Sequence, residues 1–89
     1  MQEHGWYLRG YYVGVDQRTF KAKDGNGYDD VYNVMIVVDA TAYRIRVDED
    51  QAVSFETLSI GANVLVRCRP YVGNNGKMGI TGGELMESD

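Results

Sequence analysis

Six cationic side chains come in pairs two residues apart: Lys21 with Lys23, Arg44 with Arg46, and Arg67 with Arg69. In an extended chain, side chains at i and i+2 leave from one face, roughly 6.6 Å apart. Each pair thus presents two positive charges where neighbouring phosphates of a nucleic-acid strand would meet them. The spacing serves an ordinary solvated sheet face equally well. Lys77 adds a cation beside a glycine turn. Tyr28 and Tyr71 flank the two glycine-rich turns, where a ring can stack on a base or cover the mouth of a small barrel. The neighbouring loops favour stacking. Phe20, beside the lysines, is a weaker stacking candidate, and Tyr11 with Arg9 would extend a binding track. Trp6, Tyr7, Tyr11 and Tyr12 otherwise read as packing or dimer contacts, and Tyr32 and Tyr43 as core.

Other chemistry has little to work with. The one histidine, His4, lies in a terminal stretch, so no nucleophile–histidine–acid set is available and no catalysis is expected. Asp48-Glu49-Asp50 lacks the ligand spacing and glycine of a calcium loop, and no metal or cofactor is expected. Cys68 stands alone; it forms no internal disulfide and reads as a small core residue in a reducing compartment. No stretch is long and apolar enough for a membrane span, and Met1 to Trp6 has no signal-peptide plan, so a cytoplasmic protein with no membrane partner is expected. The net charge of −4 over 89 residues argues against a general nucleic-acid binder. Yet the acids gather at turns and ends, whereas Arg9, Lys21, Lys23, Arg44, Arg46, Arg67 and Arg69 sit mainly within extended runs.

Those runs must position the pairs. Ala62 to Tyr71 alternates Val64, Val66 and Cys68 against Leu65, Arg67, Arg69 and Tyr71, the period-two mark of a half-buried strand. Val72-Gly73-Asn74-Asn75-Gly76 turns the chain, and Lys77 to Leu85 returns with Met78 and Ile80 on the apolar side. Upstream, Trp6 to Asp16 alternates through Gly10 and Gly14, where a bend or bulge is expected, and Arg18 to Lys23 stays extended. Asp24-Gly25-Asn26-Gly27 is a hairpin signal. Tyr28 to Val38 is apolar on both faces near its end, which fits a central strand or one meeting a second subunit. Asp39-Ala40-Thr41 turns the chain, and Ala42 to Val47 returns with Tyr43, Ile45 and Val47 inward. Asp48 to Ser59 reads as a short irregular or helical bridge, short of a full helix, closed by Gly61.

The whole chain, 1–89, reads as a single domain with 1–5 and 86–89 as frayed ends. Five strands with a longer connection between the third and fourth follow the plan of the OB-fold, an all-β, five-stranded Greek-key barrel with glycine-rich hairpin loops beside its binding face. An SH3-like barrel ranks second, because it places its longest loops earlier. The plan is expected to hold no helix beyond three turns and no parallel pair. A lone barrel of this size is marginal, which with the doubly apolar second strand points to a homodimer.

Four segments, in order along most of the chain, resemble the single-stranded-DNA-binding proteins of filamentous phages, the gene V protein family. They are Lys23-Asp24-Gly25-Asn26-Gly27-Tyr28, the apolar Tyr32 to Val38, the strand and acidic turn from Tyr43 to Gln51, and Val72 to Ile80. Met1 to Gly10 has no clear counterpart in the family. The resemblance implies a homodimer that coats single-stranded DNA cooperatively, with little sequence preference, during replication of a phage or mobile element. A host or phage replication protein would be a further partner. Two other classes stay open: an OB-type protein-binding adaptor, which the acidic surface favours, and an RNA-binding barrel, which lacks the expected aromatic-rich central strand.

Overall fold

The computed structural model describes residues 6–21, 25, 27–73 and 76–89. It contains β1 (Trp6–Lys21), β2 (Tyr28–Val38), β3 (Thr41–Val47), α1 (Glu49–Glu56), β4 (Asn63–Val72) and β5 (Met78–Ser88). The five strands form one sheet closed into a ring, in the order β1-β2-β3-β5-β4 and back to β1. β1 serves two neighbours: Trp6 to Tyr11 pair with β4, and Tyr11 to Lys21 with β2. A strand shared in this way has to turn a corner, and a bulge between Tyr12 and Gly14 supplies it, with Gly14 at φ 153°. The extra residue switches the inward parity: Gly10 and Tyr12 are buried before it, and Val15 packs on the core after it.

Gly10 is not the bend. A Cβ there would run into the Val37 carbonyl and lie 2.9 Å from a methyl of both Ile36 and Val38, so β1 and β2 approach closely because this side chain is missing.

One sequence expectation fails for a topological reason. β3 and β5 pair in parallel, at Ile45 opposite Ile80. Strands in a closed ring of odd number cannot alternate direction all the way round, so one parallel pair is unavoidable. The bridge after β3 is also more regular than expected. α1 is a helix of eight residues whose N-cap, Asp48, accepts a hydrogen bond at 2.8 Å from the Gln51 N–H. Glu49 and Asp50 place negative charge in its first turn, where the helix dipole favours it. Ala52 and Phe55 are its buried residues, and they join Tyr12, Val34, Ile36, Ile45, Val47, Val64, Val66 and Cys68 in the core. The Phe55 ring stacks on Tyr12 at 6.1 Å and 24°. Of the four aromatics at the start of β1, only Tyr12 is core; Trp6, Tyr7 and Tyr11 are about half exposed.

Two further expectations are corrected. Residues 86–89 are not frayed: Glu87 pairs with Leu65, Ser88 pairs with Val64, and the Asp89 N–H donates to the Asn63 carbonyl at 3.1 Å. The Asp89 carboxylate accepts from the Asn63 N–H at 2.8 Å, and Glu87 holds Arg9 at 2.9 Å. Met78 does not share the apolar back with Ile80. Trp6 pairs with Cys68, the last β4 residue that β1 covers, so the β4–β5 hairpin overshoots the ring and leaves Met78 73% exposed, while Ile80 packs on the core.

Burial pushes the Cys68 thiol above its usual range, and raises the Tyr12 phenol together with a smaller effect of Glu56. Both folded groups keep their protons to higher pH than in the unfolded chain, so unfolding releases protons there. Their contribution to stability is complete below the ordinary thiol range and is lost as pH rises through the folded values. The urea midpoint is therefore expected to fall between about pH 8 and pH 11. An unchanged midpoint across that range would contradict the burial of these two groups.

Candidate nucleic-acid interface

Ring closure decides where the paired cations go. On β3, Arg44 and Arg46 are exposed on either side of the buried Ile45; on β4, Arg67 and Arg69 flank the buried Cys68. All four therefore point away from the core. Arg44 stands opposite Met35, and Arg46 opposite Asn33, which in turn stands opposite Asp16 on β1. One carboxylate oxygen of Asp16 holds Arg18 at 3.2 Å and Arg44 at 3.5 Å. Arg18 thus joins this outer face. Sequence reasoning did not single it out, although its place two residues after Asp16 was a usable signal.

Between β3 and β4 runs β5, and here it is nearly bare. Thr81 pairs with Arg69 and Glu84 with Arg67, so Gly82 and Gly83 together face the single residue Cys68, a bulge with one extra residue on β5. Gly82 has φ 68°, a conformation that disfavours any side chain. The Arg69 side chain lies across it, its guanidinium carbon 3.6 Å from the place a Cβ would occupy. Gly83 is buried, and a Cβ on it would come within 2.6 Å of Val47.

Two hollows adjoin at Gly82. The larger, about 410 Å³, is bordered by Arg46, Thr81, Gly82, Gly83 and Glu84, with Asp48 and Gln51 at the head of the helix. The smaller, about 230 Å³, is bordered by Arg67, Cys68, Arg69, Gly82 and Glu84. They share Gly82 and Glu84 on their borders, and the trough they outline side by side has Arg46, Arg67 and Arg69 on its rim. Glu84 and Asp48 are carboxylates on its border. Among the described residues no ion pair holds Glu84.

The remaining sequence candidates lie elsewhere. Tyr28 is 73% exposed opposite Lys21, at the far end of β1. Tyr71 lies past the opposite end, beyond the Trp6–Cys68 pair, so the ring does not bring the two tyrosines together. The Tyr71 ring covers Gly79, its edge 2.6 Å from where a Cβ would stand, and is 38% exposed. Part of this ring is therefore already covered by β5. Lys77 is exposed in the β4–β5 hairpin. Lys23 lies outside the described residues. Phe20, on the arm formed by β1 and β2, is exposed beside Arg18 and Lys21. Among the described residues, no helix is long and apolar enough to cross a membrane.

Fold and site together define a small β-ring protein with an arginine-lined outer trough. No family model, curated protein or solved structure matches the chain.

Proposed function

We propose that this chain is a Greek-key barrel of the OB type that binds single-stranded DNA with little overall sequence preference, as the gene V proteins do, and coats it as a homodimer during replication of a phage or mobile element. The observation that carries the reading is the trough: arginines from β3 and β4 converge across a strand whose side chains are missing at Gly82 and Gly83. The band continues over β3 and β2 to Arg44 and Arg18. From β1 to β4 through β2, β3 and β5 it crosses four strand spacings, about 20 Å in all. That width suits a site at the small end of the ~4–16 nucleotides bound by a single OB domain. Support for the fold type comes from the strand order β1-β2-β3-β5-β4 and from the helix between β3 and β4 that closes the core. Support for a dimer comes from Tyr11 and Val13, exposed beside Val37 on the outer face of β1 and β2.

A protein-binding adaptor is the second reading, favoured by one observation. Asp16, Asp48 and Glu84 sit among the arginines, a mixed-charge surface that suits a peptide better than a run of phosphates. Titrating dye-labelled oligo-dT and oligo-rU at low salt separates the readings. Single-strand binding with about four phosphate contacts predicts that log K falls by roughly three for each tenfold rise in salt. Tighter rU than dT binding would move the assignment to RNA. No binding to long poly-dT at low salt would hand the site to the adaptor reading.

A further inference from the structure

We infer that Glu84 makes one position of the bound strand selective for guanine; this rests on the single-strand reading above. A trough built only to hold phosphates needs donors alone. This one has a carboxylate on the border of both its hollows, opposite Arg67 and across Gly82 from Arg69. Phosphate repels that carboxylate, whereas a base edge with donors satisfies it.

Guanine is the base whose edges match both kinds of group. Its N1–H and N2–H₂ lie side by side and can both donate to one carboxylate, while O6 and N7 accept two hydrogen bonds from one guanidinium. Adenine and cytosine each offer an amino group without that adjacent pair of donors, and thymine offers no amino group. In single strands these edges are free to be read. The trough has both kinds of group on its border. Glu84 is a carboxylate that no ion pair holds among the described residues, and Arg69 lies over the bare backbone of Gly82. The left-handed conformation at Gly82 keeps that position free of a side chain of its own, and the Arg69 side chain takes the space over it. The neighbouring arginines then hold the flanking phosphates, and Glu84 reads the base between them.

The test compares an oligo-dT of about eight nucleotides with the same oligomer carrying one central guanine, by fluorescence anisotropy at fixed salt. The guanine oligomer is expected to bind about tenfold tighter, the worth of one good bidentate pair. Inosine, which lacks the N2 amine, and 7-deazaguanine, which lacks N7, should each recover only part of that gain. Glu84→Gln should cut the ratio of the two affinities to the share that the arginine contact to O6 and N7 supplies, while tightening oligo-dT, because an acid has left the track. If oligo-dT binds but guanine brings no gain, or if the whole gain persists in Glu84→Gln, the inference is wrong. If oligo-dT does not bind at all, the single-strand reading fails first and takes this inference with it.

Discussion

Replacing Phe55 with alanine is expected to cost about 3–5 kcal/mol, enough to leave the domain close to unfolding. Phe55 is fully buried, comes from the short helix α1, and closes the core by stacking on Tyr12. Tyr12 sits next to the bulge where β1 turns its corner, so the lost ring removes contacts at the corner as well as under the helix. Its neighbours are strand residues fixed by the ladders, which limits how far the cavity can collapse. Val53→Ala, on the exposed side of the same helix, is the comparison, with a change below about 0.5 kcal/mol expected. Urea unfolding followed by far-ultraviolet circular dichroism measures both. Equal midpoints for the two variants would mean that α1 is not part of the core.

The second large effect concerns binding. Changing Arg46, Arg67 and Arg69 together to alanine removes every arginine that borders the trough. Three lost phosphate contacts should make the salt dependence shallower by about two units of slope, at roughly 0.7 for each contact on a single strand. At up to about 1 kcal/mol for each exposed guanidinium, the low-salt affinity should drop by roughly a hundredfold. Arg44→Ala should do less, since Asp16 already occupies that guanidinium. Arg9→Ala, outside the track and paired to Glu87, should leave the slope where it was. A triple variant with an unchanged slope would place the DNA elsewhere on the protein.

Much of the ring was legible in the chain because period-two alternation is local. Val64, Val66 and Cys68 against Arg67 and Arg69 fix a strand and its faces without any knowledge of its neighbours. The glycine turns after Lys23 and Val72 mark two of the hairpins in the same local way. What escaped depends on closure. That Asp16 holds Arg44 follows from registers across three strands, and that Glu84 faces Arg67 follows from a bulge in the β4–β5 hairpin; neither is encoded by a local pattern. Gly10 and Gly14 look alike in sequence, yet one permits two strands to approach and the other accompanies a bulge. The helix was underestimated because only Ala52 and Phe55 are buried while Val53 faces out, a weak apolar stripe even though Asp48 caps it well.

The parallel seam at Ile45 and Ile80 also sets an order of events in folding. β1–β2, β2–β3 and β4–β5 are neighbours in sequence and can form as hairpins soon after collapse, each closing a short loop. The seam joins residues on either side of the helix and the fourth strand, so its entropy must be lost before its contacts give anything back. Docking of the β4–β5 hairpin on the β1–β2–β3 meander is therefore the step expected to be slow, because its contacts are the non-local ones.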